Sequence, residues 1–102
     1  LNSDFLLITG IADSKPLTRH LKSKKLKFKH LTYNDHHNYN QNDIKEILKY
    51  SGDKIILTTE KDYFKIMSIH DFENLFYIEI KIDFLGKSND LVNLISNKLI
   101  FN

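Results

Sequence analysis

Histidine and acidic side chains are densest at Asp35-His36-His37, inside the polar stretch of residues 33–40. Histidine titrates near neutral pH, so it can transfer protons or bind a metal. A neighbouring carboxylate can fix the tautomer of an imidazole and raise its basicity. Adjacent loop residues can also point in different directions, and a structural or capping role is then the alternative. We call residues 34–38 the Asp-His-His loop.

A second polar cluster, Thr58-Thr59-Glu60-Lys61-Asp62, follows a short apolar run that is typical of a buried strand. The spacing of Thr59 and Asp62 predicts that a helix begins near Glu60. The amino end of a helix attracts anions, and Lys61 would add positive charge there. A plain capping motif, with two acids at the favourable end of the helix dipole, is the alternative. We call residues 59–62 the Thr-Glu-Lys-Asp turn.

The elements that must position these clusters alternate along the chain. Short apolar or alternating runs predict strands near residues 5–9, 26–31, 55–58 and 75–84. Helical patterns follow caps at Ser14, Asn40 and Thr59, and Gly52 is expected to end the second helix. The predicted last helix buries Leu91, Leu94, Ile95 and Leu99. The fold class is therefore α/β: a small layered domain with a mostly parallel sheet of about four strands, flanked by helices.

Three loops follow predicted strands, at residues 10–13, 34–38 and 58–62. In parallel sheets, functional loops lie beyond the carboxyl ends of the strands. We therefore expect these loops to converge at one edge. The strand near residues 75–84 alternates apolar and polar side chains, so one of its faces should contact water, as in an edge strand.

Composition limits the possible functions. The chain has 102 residues, a formal net charge of +2 and no cysteine. Thiolate metal sites, disulfides and a cysteine nucleophile are therefore excluded. The three glycines do not form a Gly-x-x-x-x-Gly-Lys-Ser/Thr loop or a Gly-x-Gly-x-x-Gly motif, so no phosphate cradle of either kind is encoded. The longest apolar runs are too short to span a bilayer.

Basic residues cluster between positions 15 and 29, and this cluster has two interpretations. Its members are Lys15, Arg19, His20, Lys22, Lys24, Lys25, Lys27 and Lys29. Such a patch can attract phosphate, nucleic acid or anionic lipid. The alternative is a solvated helix face that leads into an edge strand. No aromatic residues suited to stacking on bases alternate with the lysines, so nucleic acid is not the expected partner.

Three motifs, taken in order, resemble the C-terminal part of the tetraacyldisaccharide 4'-kinases. Residues 7–17 (LITGIADSKPL) resemble the strand, Gly-Ile-Ala and helix that open this part. Residues 33–39 (YNDHHNY) are similar to the Asp-His loop of the family, and residues 58–65 (TTEKDYFK) to its Thr-Glu-Lys-Asp segment. Order and spacing agree over about residues 5–84, whereas residues 69–73 and the last predicted helix match no motif.

The resemblance implies a kinase with a P-loop fold that transfers the γ-phosphate of ATP, with Mg²⁺, to the 4'-hydroxyl of tetraacyldisaccharide 1-phosphate. It implies that residues 1–102 form a single domain, the C-terminal fragment of a larger chain. The nucleotide site, the magnesium ligands and the base carboxylate would belong to the missing N-terminal part. The expected partners are that part, the glycolipid substrate and the cytoplasmic face of the inner membrane. The fragment alone should bind no cofactor or metal and should lack kinase activity.

The resemblance also assigns site residues. His36 matches the histidine that pairs with the upstream base carboxylate, and Asp35 would hold its imidazole. The residues expected near the cleft or substrate are His37, Thr59, Glu60, Lys61 and Asp62.

Two functions from other classes remain open on the residues alone. A metal-dependent phosphoesterase could use the Asp-His-His tripeptide, but residues 5–12 lack the aspartates that a two-metal site needs. A non-enzymatic α/β binding module could use the basic cluster for an acidic partner. Tight manganese binding would indicate the first function, and a partner interaction that weakens steeply with salt would indicate the second.

Overall fold

A computed structural model describes residues 4–82 and 92–95. The strands in this part of the chain are β1 (Phe5–Thr9), β2 (Phe28–Thr32), β3 (Ile55–Thr59), β4 (Leu75–Ile82) and β5 (Val92–Ile95). The helices are α1 (Lys15–Ser23), α2 (Gln41–Ser51) and α3 (Glu60–Met67). Strands and helices alternate as far as β4, which confirms the predicted order.

The strands form one sheet in the order β2-β1-β3-β4-β5. The pairs β1–β2, β1–β3 and β3–β4 are parallel, because a helix carries the chain back between consecutive strands. The predicted α/β fold with a mostly parallel sheet is thus confirmed. Within the sheet, β2 lies on one side of the central pair β1 and β3, and β4 lies on the opposite side. The chain therefore leaves β1 in one direction along the sheet and leaves β3 in the other. The carboxyl ends of β1 and β3 therefore form a topological switch point, where ligands usually bind in such sheets.

Apolar side chains of β1 alternate between the two faces of the sheet, and helices cover both faces. Leu6 and Ile8 pack with residues of α2 and α3, including Ile47 and Ile66. Side chains of α1 cover the other face, and the apolar residues buried there are Phe5, Leu7, Leu17, Leu21, Leu57, Phe76 and Ile78. Burial on both faces explains why β1 is a continuous apolar run.

The caps of α2 are those predicted. The Asn40 side chain accepts a hydrogen bond from the Asp43 N–H (3.0 Å), and the Asp43 carboxylate accepts one from the Asn40 N–H (2.9 Å). Gly52 ends the helix with φ +51°, in the region that favours glycine.

At α1, Ser14 occupies the predicted cap position, but its side chain makes no capping hydrogen bond. The neighbouring Asp13 carboxylate accepts the Lys15 N–H instead (3.0 Å).

Two predictions for the end of the chain are wrong. Residues 92–95 form β5, antiparallel to β4, where a helix was predicted. Spacing of apolar residues cannot separate a short strand from a helix, and here pairing with the free side of β4 decides. Since β4 lies between β3 and β5, it is not an edge strand within the described residues. Leu91, Leu99 and the predicted extension of the strand to Phe84 lie outside those residues.

Among residues 4–82 and 92–95, no helix combines the length and apolar character needed to cross a membrane.

Candidate functional site at the carboxyl edge of the sheet

The three loops predicted to converge do meet at the carboxyl edge of the parallel strands. The Gly10 N–H, just after β1, donates to the Asp62 carboxyl group at the start of α3 (2.9 Å). The Gly10 carbonyl accepts the His36 N–H from the Asp-His-His loop (3.2 Å). Gly10 therefore lies between the two polar clusters and is bonded to both.

The Thr-Glu-Lys-Asp turn divides into buried and exposed residues. Thr59 and Asp62 are 6% and 2% exposed, whereas Glu60 and Lys61 are exposed. The Thr59 hydroxyl donates to Asp62 Oδ2 (2.6 Å) and accepts the Asp62 N–H (3.3 Å), which caps α3. The predicted cap is therefore present, and only Glu60 and Lys61 face outward, where a substrate or partner could reach them.

Glycine is required at position 10 by the close approach of the loops. A Cβ atom there would lie 2.8 Å from Asp62 Oδ1, and 3.2 Å from both the Asn34 carbonyl oxygen and the Tyr39 hydroxyl oxygen. The first distance is shorter than real Cβ contacts allow. A glycine directly after a buried parallel strand is a sequence signal of such close approach.

Tyr39 contributes a buried hydroxyl beside this contact. Its ring packs in the core, and within the described residues its hydroxyl makes no hydrogen bond of good geometry, although the Asp62 carboxyl group lies close to it. Burial, followed by the negative charge of Asp62, raises the pKa of Tyr39 above its usual value. The phenol therefore stays protonated and cannot act as a base near neutral pH.

The Asp-His-His loop presents His36 to solvent. His36 has φ +61°, a left-handed conformation uncommon for residues with a side chain. Its imidazole Nε2 lies 3.4 Å from Asp35 Oδ2, and the two side chains are 68% and 44% exposed. This accessible imidazole–carboxylate pair can accept or donate a proton at the edge of the sheet.

His37 points the other way and supports the loop. Its Nε2 lies 2.8 Å from Asp43 Oδ2, at the amino end of α2. Its ring stacks on Tyr33 (centroids 4.7 Å apart) and meets Tyr39 edge to face (4.8 Å). The Lys65 ammonium donates to the His37 carbonyl (3.1 Å). His37 was predicted near the substrate; the structure places its side chain against α2, where only a quarter of it remains exposed.

Tyr33 and Lys65 were not among the predicted site residues. The Tyr33 hydroxyl donates to Glu46 Oε1 on α2 (2.7 Å), and burial, together with this bond, raises the pKa of Tyr33. Lys65 lies one helical turn after Lys61, and its contact joins α3 to the loop. Neither contact has a local sequence signal, because each joins residues more than ten positions apart.

His30, on β2, is separate from this edge cluster. Its Nε2 lies 2.7 Å from the Thr9 hydroxyl, and burial, followed by the charge of Lys22, lowers its pKa. No group of three His, Cys, Asp or Glu side chains in the described ranges is arranged to hold a metal ion.

Fold and site together define an α/β domain with a polar, histidine-bearing edge at the switch point of a parallel sheet. The family model of tetraacyldisaccharide-1-P 4'-kinase matches residues 2–100. The chain belongs to this family.

Curated relatives agree with the family match. The chain is 32% identical to the tetraacyldisaccharide 4'-kinase of Cytophaga hutchinsonii over 108 residues, which cover 97% of the chain and 30% of that protein. For the same enzyme of Flavobacterium psychrophilum, identity is 35% over 92 residues, covering 90% of the chain and 26% of the relative. For the tetraacyldisaccharide 4'-kinase of Pelagibacter ubique, identity is 33% over 104 residues, which cover 97% of the chain and 31% of the relative. The chain thus spans about a third of the length of these relatives. No solved structure matches it significantly.

Proposed function

We propose that this chain is the C-terminal part of a lipid A 4'-kinase and forms one wall of its active-site cleft. The complete enzyme would transfer the γ-phosphate of ATP to the 4'-hydroxyl of tetraacyldisaccharide 1-phosphate. Family membership supports this reaction, as does the name of the relatives. The observation that carries the site is the exposed Asp35–His36 pair at the carboxyl edge of the sheet.

His36 and Asp35 have distinct roles in this proposal. Phosphoryl transfer to an alcohol needs a hydroxyl that is oriented and deprotonated as the new bond forms. His36 would hydrogen-bond a base carboxylate from another part of the chain, and so orient that base toward the 4'-hydroxyl. Asp35 would hold the His36 ring in its orientation. Glu60 and Lys61 are the members of the neighbouring turn that are exposed enough to contact the glycolipid.

The remaining parts of the enzyme would supply what this chain lacks. ATP and Mg²⁺ would be bound by the N-terminal part, because this chain carries no Gly-x-x-x-x-Gly-Lys-Ser/Thr loop for nucleotide phosphates. The glycolipid would be presented at the cytoplasmic face of the inner membrane. On its own, this chain would have no kinase activity, and purified chain that phosphorylates the disaccharide would contradict this.

The test is 4'-phosphorylation by the complete kinase that contains this segment, with wild type compared with His36→Ala. Residues that handle protons usually contribute about 10²–10⁴-fold to the rate, so kcat should fall by that much while thermal stability is unchanged. His20→Ala is the matched control, because His20 lies on α1, away from the edge, and its kcat should stay close to wild type.

The outcomes separate the parts of the proposal. A near-normal kcat for His36→Ala would remove His36 from the mechanism and leave the family assignment intact. A wild-type complete chain that cannot phosphorylate the disaccharide would overturn the proposed activity, and a non-enzymatic binding role would then replace it.

A further inference from the structure

Asp62 is the least exposed member of the Thr-Glu-Lys-Asp turn. It is 2% exposed, whereas its neighbours Glu60 and Lys61 lie on the surface. A side chain this deeply buried cannot contact a substrate in this conformation. Asp62 must therefore act through other groups of the protein, and its hydrogen bonds identify these groups.

A continuous path of hydrogen bonds leads from Asp62 to His36. Asp62 Oδ2 accepts both the Thr59 hydroxyl (2.6 Å) and the Gly10 N–H (2.9 Å). The Gly10 carbonyl then accepts the His36 N–H (3.2 Å). Glycine has the widest choice of backbone conformations, so a hydrogen bond to the Gly10 N–H restrains the carbonyl group that His36 binds. Asp62 provides that hydrogen bond.

Helix α3 also contacts the backbone on the C-terminal side of His36. Lys65, on α3, donates to the carbonyl oxygen of His37 (3.1 Å). His36 itself has φ +61°, a conformation that persists only when the surroundings impose it. Helix α3 therefore fixes the loop on both sides of the residue that carries the exposed imidazole.

We propose that Asp62 is a positioning residue that fixes the backbone of His36 through Gly10. The Thr-Glu-Lys-Asp turn would then contribute to catalysis indirectly, because it holds the Asp-His-His loop in place. This rests on the proposed function of His36. Displacement of a reacting group by about 1 Å can cost about 10²-fold in rate, even when the mutation lies away from the chemistry. Loss of Asp62 should therefore lower kcat and leave KM for the disaccharide nearly unchanged.

The experiment is a double-mutant cycle in the complete kinase. Asp62→Ala should lower kcat by about 10²-fold when His36 is present. In the His36→Ala background, the same change should lower kcat by no more than about twofold, because the residue that Asp62 positions is already gone. Asp62→Asn should retain most of the activity, since its amide oxygen can accept the same two hydrogen bonds. Asp53→Ala, which removes an exposed carboxylate, is the matched control and should match wild type.

A second measurement keeps the proposal testable if Asp62→Ala does not fold. Thr59→Val keeps the volume of the side chain and removes the hydroxyl that orients Asp62. It should lower kcat in the same His36-dependent way, by a smaller factor. Hydrogen exchange of the peptide containing His36 should accelerate in Thr59→Val and in folded Asp62→Ala, but not in Asp62→Asn or Asp53→Ala.

Each result supports or contradicts the role of Asp62. An equal loss of kcat in both backgrounds, a rise in KM alone, or wild-type activity of Asp62→Ala would overturn it. If His36→Ala itself keeps a normal kcat, the proposed function of His36 fails, and hydrogen exchange alone then decides whether Asp62 fixes the loop. Unchanged exchange in every variant would refute the positioning role.

Discussion

The Asp-His-His loop and the Thr-Glu-Lys-Asp turn lie side by side at one edge of the sheet and use their polar side chains in opposite ways. In the loop, the imidazole of His36 is 68% exposed. In the turn, the carboxyl group of Asp62 is 2% exposed and accepts two hydrogen bonds through one oxygen. The proposed function assigns chemistry on a ligand to the loop, whereas the buried pair of the turn bonds to Gly10 and caps α3. The two neighbouring clusters therefore differ in exposure: the His36 imidazole is open to solvent, and the Asp62 carboxyl group is enclosed.

The largest effect on stability should come from Asp62→Ala. Removal of the carboxyl group leaves the Gly10 N–H and the Thr59 hydroxyl without their acceptor. An unsatisfied buried group costs about 1–3 kcal/mol, so we expect a loss of about 3 kcal/mol in the free energy of unfolding. Urea unfolding of this chain, followed by circular dichroism, measures it. Exposed surface changes such as Asp53→Ala should stay within about 0.5 kcal/mol. Equal losses for both variants would remove the contrast between turn and surface.

Gly10→Ala should cause the next largest loss of stability, because the added methyl group must displace the atoms that join the turn and the loop. Overpacking of this kind costs about 1–3 kcal/mol, and about 2 kcal/mol is expected in the same unfolding experiment. Gly52→Ala is a useful comparison, since no atom lies within 4 Å of a Cβ at Gly52 and only its positive φ opposes the change. A smaller loss at Gly10 than at Gly52 would show that the two loops separate easily.

At His36, the backbone and the side chain can be tested separately. Left-handed backbone costs about 1–2 kcal/mol for a residue with a Cβ atom, so His36→Gly should be about 1 kcal/mol more stable than His36→Ala. Neither variant should recover the kinase activity, because both lack the imidazole. Lys25 has the same φ of +61°. Lys25→Gly should therefore be more stable than Lys25→Ala by the same amount. A gain at Lys25 without one at His36 would indicate that the loop relaxes once the imidazole is removed.

The smallest effects should distinguish the two tyrosines beside the loop. The Tyr33 hydroxyl donates to Glu46, so Tyr33→Phe should lower stability by about 1 kcal/mol. Within the described residues the Tyr39 hydroxyl makes no hydrogen bond of good geometry, although Asp62 lies close to it, so Tyr39→Phe should lower stability less than Tyr33→Phe does. The difference between the two unfolding free energies is the quantity to measure. A loss in Tyr39→Phe as large as in Tyr33→Phe would mean that the Tyr39 hydroxyl is bonded in solution.

The sequence was sufficient for most of the fold and for the meeting of three loops at one edge of the sheet. Apolar runs, Asn40 with Asp43, and Gly52 predicted the strands and the boundaries of α2, because these signals act over a few residues. The parallel order then brought the three loops to one edge, as expected from alternating strands and helices. The exception at the chain end, β5, is a segment where strand and helix patterns coincide.

The directions of the side chains could not be predicted in this way. Nothing local separates buried Asp62 from exposed Lys61, or inward His37 from outward His36. Asp62 is enclosed where it contacts Gly10, which lies 52 positions away in the sequence. The His37 carbonyl accepts a hydrogen bond from Lys65, which lies 28 positions away. Short-range patterns determine where helices and strands begin and end, since their hydrogen bonds and periodicity are local. Whether a side chain is buried or exposed depends on distant residues, which meet only when the sheet has formed.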